Sequence, residues 1–138
     1  MRVRDFLKKP PVALHAEATV EEAVAQMAAH NIGAVVIVDT EGRPLGIITE
    51  RDVLRAIAKK TPLTAKALEV GTARDLVVAK MDDDIYEAME KMRERKVRHL
   101  IVVDDLGKVA GVLSIRDLLE DRALKSLGDR VWWPKPEE

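Results

Sequence analysis

The sequence predicts an α+β fold written twice, with two β-α-β-β-α units packed about a pseudo-two-fold axis through their small sheets. Three observations carry that expectation. The phrase GIITERDVLRAI at 46–57 returns as GVLSIRDLLEDR at 111–122, a shift of 65 residues. At that shift residues 19–54 overlie 84–119 without a gap, and ten of the 36 positions are identical, the signature of an internal duplication. Finally, 47% of the 138 residues are hydrophobic but only 3% aromatic, so a shared core has to be packed from aliphatic side chains.

Each copy reads in the same order. A short strand is expected at 12–14 and at 77–79. Val20, Ala23, Val24 and Met27 then follow helical spacing, and Ile85, Ala88, Met89 and Met92 repeat it. Thr19 with Glu22 has the form of a capping box, echoed by Asp84 with Glu87. The runs AVVIVD (34–39) and HLIVVD (99–104) read as buried strands. Turns follow in which Gly42 and Gly107 supply a positive φ, then second strands at 44–48 and 109–113, then second helices. The expected division is repeat one at 1–58, a connector at 59–72, repeat two at 73–127 and a tail at 128–138.

Composition excludes several functions. Lys and Arg number 23 against 24 Asp and Glu, a net charge of -1, without the basic excess of a nucleic-acid surface. No apolar run approaches the ~20 residues of a membrane span, and the start lacks a signal-peptide core; the expectation is a soluble cytoplasmic protein. Zero cysteines removes disulfides and thiolate metal sites. One Asn and one Gln among dense ion-pairing residues give the composition of a thermophile protein. His15, His30 and His99 are scattered, so no metal site is expected, and neither a Ser/His/Asp set nor a phosphate-binding Gly-rich loop of the GxxxxGK[ST] type occurs. The chain reads as non-enzymatic. Met27, Met89 and Met92 suit the core or a dimer interface, while Glu90 and Arg93 suit an exposed helix face. Trp132 and Trp133 in the tail VWWPKP are read as folding back on the chain or its dimer mate, or as a docking peptide.

The segment EATVEEAVAQMAAHNIGAVVIVDTEGRPLGIITERDVLRAI resembles the cystathionine-β-synthase (CBS) domain, and MDDDIYEAMEKMRERKVRHLIVVDDLGKVAGVLSIRDLLEDR resembles a second. Together they resemble the tandem pair called a Bateman module, over roughly residues 2–127. The most specific element is the G-h-h-[ST]-x-x-D phrase, in register with the upstream helix and the V-D-x-x-G turn. The resemblance implies a regulatory module that binds AMP above all, or ADP, ATP or S-adenosylmethionine, in clefts between the repeats. It also implies a homodimer formed through the helices, a regulated partner protein and no required cofactor. The alternative is the same fold used only for structure or protein contact.

Thr49, Arg51 and Asp52 lie where a strand gives way to a helix, whose N-terminal N–H groups favour anions. A carboxylate with two acceptor oxygens suits a ribose cis-diol, and the family gives that role to the positions of Asp52 and Asp117. Thr49 and Ser114 then face phosphate, with Arg116 beside the second corner. Adenine is expected near Val12, Ala13 and Leu14 in one site and Val77, Val78 and Ala79 in the other. A capping box explains Thr49…Asp52 and Ser114…Asp117 equally well, and both readings stand. By the family pattern the Asp52 cleft receives Arg98 and His99, whereas the Asp117 cleft receives Gly33 and Ala34. The first is therefore expected to favour charged nucleotides, the second adenosine-like ligands. Two departures from the pattern are Val36 and Ile101, where many members have proline, and the absence of Thr from the first strand.

Overall fold

A computed structural model describes residues 1–7 and 9–120; the end of repeat two beyond 120 and the tail with Trp132 and Trp133 lie outside the described residues. A short 3-10 helix, Val3–Phe6, precedes β1 (Ala13–His15), α1 (Val20–His30), β2 (Ala34–Val38), β3 (Pro44–Thr49), α2 (Glu50–Ala58) and α3 (Ala67–Val70). The second copy supplies β4 (Val78–Lys80), α4 (Ile85–Arg95), β5 (His99–Val103), β6 (Val109–Ser114) and α5 (Ile115–Glu120). Each copy forms its own three-stranded sheet, in the orders β1-β2-β3 and β4-β5-β6. The first pair is parallel and the second antiparallel in both. The opening strands begin one residue later than expected, because parallel pairing to the long strand runs over Ala13–His15 and Val78–Lys80.

Side chains on the long strands alternate between two cores, as the two-residue strand period requires. Val35 and Ile37 point into one core with Val20, Ala23 and Met27 of α1. Leu100 and Val102 point into its counterpart with Ile85, Ala88 and Met92 of α4. The intervening Val36, Ile101 and Val103 meet in a third core, joined by Val38, Ile47, Val78 and Val112. That core lies between the two sheets, which therefore pack face to face. Among the described residues no polar or charged residue is buried.

Turns and caps follow local chemistry. Gly42 and Gly107 hold φ of 83° and 80°. Asp39 Oδ1 accepts from the N–H groups of Glu41 and Arg43 at 2.8 and 2.9 Å. Asp104 Oδ1 accepts from Leu106 and Lys108 at 2.9 and 3.0 Å, so the repeated V-D-x-x-G is a turn built by its own aspartate. Thr19 caps α1 by accepting from Glu22 N–H at 3.2 Å, but the Glu22 carboxylate turns to His15 instead of closing the box. Asp84, expected to cap α4, makes no capping hydrogen bond. The first N–H of α4, on Ile85, donates to the Met1 carbonyl at 3.0 Å, as the first N–H of α1, on Val20, does to the Ala65 carbonyl. Arg93 pairs with Glu90 on the exposed face of α4.

The two helical cores are completed by exchange. Val3 and Phe6, 0% and 2% exposed, pack into the core of the second copy. Val3 N–H and Arg4 N–H donate to Asp83 and Met81 carbonyls there, both at 2.9 Å. In the first copy the equivalent place is taken by Ala67, Leu68 and Val70 from the expected connector. Ala67 N–H donates to Ala18 O and Val20 N–H to Ala65 O, at 2.8 and 2.9 Å. Each of these segments lies over the glycine of the repeated phrase. A Cβ on Gly46 would stand 2.7 Å from the Thr72 carbonyl oxygen and from Leu68 Cδ1, and one on Gly111 would stand 3.0 Å from Leu7 Cδ2.

Two outcomes are expected in urea unfolding. Phe6→Ala should cost about 3–5 kcal/mol, as for truncation of a buried Phe, although it is only the sixth residue; a loss below about 1 kcal/mol, the scale of a surface change, would contradict the exchange. Gly46→Ala should cost about 1–3 kcal/mol through overpacking and more than Gly111→Ala, because the Thr72 backbone cannot turn away as the Leu7 side chain can.

Candidate functional site

The last residues of β3 and β6 lead into α2 and α5 at matching corners. In the first, Thr49 N–H donates to Asp52 Oδ2 at 2.9 Å and Asp52 N–H donates to Thr49 Oγ1 at 3.3 Å. The Thr49 hydroxyl also lies 3.1 Å from Asp52 Oδ2. In the second, Ser114 N–H donates to Asp117 Oδ2 at 2.9 Å and Asp117 N–H to Ser114 Oγ at 3.1 Å. These are reciprocal capping boxes, so the capping reading is correct as far as it goes. It uses one oxygen of each aspartate. Among the described residues no protein donor reaches Oδ1 of Asp52 or Asp117, and both side chains are half-buried.

Both corners open onto one continuous cleft of about 1150 Å³ lined by both copies. Of the residues expected at the first site, Thr49, Arg51, Asp52, Arg98, His99, Val12 and Ala13 line it. Of those expected at the second, Ser114, Arg116, Asp117, Gly33, Ala34 and Val77 do. Three stand elsewhere because of strand alternation. Leu14, opposite Ile37, turns toward α1. Val78, opposite Ile101, joins the core between the sheets. Ala79, opposite Val102, is 1% exposed beneath α4. The cleft walls near the first strands are thus formed by Val12, Ala13 and Val77 without them.

The cleft is electropositive relative to the chain. Eight Lys and Arg residues line it against four carboxylates, Glu50, Asp52, Asp75 and Asp117, whereas the chain as a whole is nearly balanced. Lys9, Arg55, Arg74, Arg95 and Lys96 are part of that lining and were not among the expected site residues. Only Arg74 left a trace, as half of the Arg-Asp pair repeated at 4–5 and 74–75; the others come close through helix and loop placement that spacing does not reveal. Arg95 Nη2 donates to the Asp75 carbonyl at 2.8 Å, fixing that rim of the cleft.

His99 lies deeper. Burial pushes its imidazole below the ordinary histidine range; Asp117 and Glu50 oppose that shift, while Arg116 and Arg98 add to it. It is therefore mostly neutral at pH 7, able to donate or accept a hydrogen bond but adding little fixed charge. Such a cleft can take an anion beside a diol between apolar walls. Among the described residues no group of three or more His, Asp or Glu side chains has the geometry to hold a metal ion, and no helix is long and apolar enough to cross a membrane.

Comparison with known proteins matches this architecture. The model of the CBS domain matches twice, at 3–59 and 67–123. A CBS domain protein of Pyrobaculum aerophilum, solved in complex with AMP, is 34% identical with a TM-score of 0.85, over 95% of this chain and 100% of that one. A CBS domain pair solved with 5′-methylthioadenosine and S-adenosyl-L-methionine is 29% identical with a TM-score of 0.80, over 95% and 98% of the two chains. Among curated relatives, an uncharacterized 17.7 kDa protein of Acidianus ambivalens is 34% identical over 72% of this chain and 60% of its own length. The inosine-5′-monophosphate dehydrogenase of Methanocaldococcus jannaschii is 38% identical over 83% of this chain, but that stretch is only 22% of the enzyme. The L-aspartate semialdehyde sulfurtransferase of the same organism is likewise matched over 22% of its length. With two matches that together span most of its length, this chain belongs to the CBS domain family, as a tandem pair.

Proposed function

We propose that the chain is a non-catalytic regulatory module that binds an adenine nucleotide, AMP foremost, in the cleft between its repeats and signals occupancy to a partner protein. The observation that carries this reading is the shared cleft, with an uncommitted carboxylate oxygen at each corner and twice as many cations as carboxylates along its walls. The AMP complex of the Pyrobaculum protein supports the ligand class, and the complex with 5′-methylthioadenosine and S-adenosyl-L-methionine supports adenosine recognition more broadly. In this reading Asp52 and Asp117 accept from ribose hydroxyls through Oδ1 while Oδ2 continues to cap the helix. Thr49 and Ser114 sit beside the 5′ group, Arg51 and Arg98 meet phosphate in the Asp52 half, and Arg116 is the matching cation in the other. Val12, Ala13 and Val77 give the base its apolar walls.

A ligand that binds only the folded chain raises its melting temperature by mass action. Millimolar AMP should therefore produce a clear shift, and absence of any shift with AMP, ADP, ATP, adenosine or S-adenosylmethionine would favour a purely structural role. Losing a hydrogen bond to a charged acceptor costs about 1.5–3 kcal/mol, so Asp52→Ala should weaken the tighter AMP site about 10–100-fold by calorimetry. Asp117→Ala should leave that tighter site within about threefold, a change below 1 kcal/mol. Both variants lose a cap and should be destabilised alike, by about 1 kcal/mol without ligand. Equal loss of AMP affinity in the two variants would contradict the inequality of the sites.

Assembly through the helices belongs to the same proposal. Leu54 and Ile57 of α2 are 68% and 58% exposed, and Leu119 of α5 is 44% exposed. Large aliphatics left on the outer faces of two helices are suited to cover by a second copy. Sedimentation velocity should find a dimer for the native chain and a monomer for Leu54→Glu with Ile57→Glu; a native monomer would contradict the proposed assembly.

A further inference from the structure

The two halves of the cleft carry opposite charge at one symmetry-related place. Glu50 N–H donates to the Gly33 carbonyl at 3.0 Å, and in the second copy Ile115 N–H donates to the Arg98 carbonyl at 2.9 Å. The backbone corner is thus the same twice, but its side chains are exchanged. The first copy has no side chain on the strand-leading residue and a carboxylate at the head of the helix. The second has a guanidinium on the strand-leading residue and an aliphatic at the head of the helix. The carboxylate uses the space that glycine leaves. A Cβ on residue 33 would collide with the Glu50 carboxylate and stand 3.4 Å from His99 Nε2 of the other repeat. Glu50 is therefore folded across Gly33 toward the second copy, where it and Asp117 both act on the His99 imidazole. Among the described residues Glu50 has no hydrogen-bonded or ion-paired side-chain partner, and its side chain is exposed to the cleft.

We infer that Glu50 is a specificity-determining residue, which turns the Asp117 half of the cleft away from 5′-phosphates and toward adenosine derivatives whose 5′ group is neutral or cationic. The inference rests on the nucleotide reading above. A carboxylate repels a phosphate and attracts an ammonium or sulfonium, and the effect is strengthened where the cleft walls exclude water. His99 does not cancel the charge, because burial holds it mostly neutral at pH 7. Glu50 and Arg116 act in opposite senses on His99, whereas the second copy has Ile115 where the first has Glu50.

Calorimetric titration of the full chain with AMP and with adenosine tests this. Glu50 takes no part in the Thr49–Asp52 capping box, so Glu50→Gln removes the charge and keeps the shape, and its melting curve checks the fold. At the weaker site the ratio of AMP to adenosine affinity should rise about tenfold, the scale of one like-charge repulsion in a partly screened cleft. Adding Asp117→Ala should weaken AMP and adenosine alike at that site and keep the raised ratio, while adding Asp52→Ala should leave both affinities there unchanged. An unchanged ratio, or a gain at the site that Asp52→Ala weakens, overturns the role of Glu50 while the nucleotide reading stands. If the native chain binds neither AMP nor adenosine, the nucleotide reading fails, and this inference with it.

Discussion

Face-to-face packing of two three-stranded sheets is the constraint on which the rest of this molecule depends. Each sheet is apolar on both sides, because its central strand alternates between a helix-covered core and the strip formed by Val36, Ile101 and Val103. A single repeat has only enough helix to cover one side. The other side is buried by the second copy, and β-branched side chains suit that closely packed strip. Once the sheets stack, the ends of β3 and β6 share one cleft. The site is a consequence of the core, because both corners are the points where a strand turns into a helix.

Exchange of segments adds a second tie between the copies. The residues before β1 cover the second core and the residues before β4 cover the first, each closing over a glycine, of which Gly46 lies against backbone that leaves no room for a side chain. The second helical core is not complete within one consecutive stretch, since Val3 and Phe6 join residues 77–118 there, whereas the first is drawn from residues 12–70, a length already marginal for independent folding. The copies are thus bound by sheet packing, by crossing segments and by the cleft they share. A ligand spanning the cleft would touch elements of both, which is the physical basis on which occupancy can alter the relation of one copy to the other.

Much of this was legible in the sequence, for stated reasons. Duplication at a fixed shift gives the element order, and period-two and period-3.6 patterns give the strands and helices. The aspartates at 52 and 117 were found because identical residues at the end of a strand in both copies stand out against a varied background. What escaped did so because it depends on three-dimensional exchange. Val3 and Phe6 look like an ordinary chain terminus until they are seen beneath α4. Asp84 has the right residue type for a cap, yet its side chain makes no capping bond. Glu50 stands at a variable position of the repeated phrase, and only the fold brings it together with Gly33 and His99. The cations at Lys9, Arg55, Arg95 and Lys96 have helical or loop positions that in sequence read as solvated surface.

The central claim is that both repeats together line the adenine-nucleotide sites at their sheet–helix corners. Amide chemical shifts of the nitrogen-15-labelled chain during titration with AMP test it most directly. The account predicts saturable shifts at Thr49, Asp52, Arg98 and His99, residues from both copies that line the cleft, with little change at the outer positions Leu54 and Tyr86. Shifts confined to those outer helix faces, or to one copy alone, would contradict it.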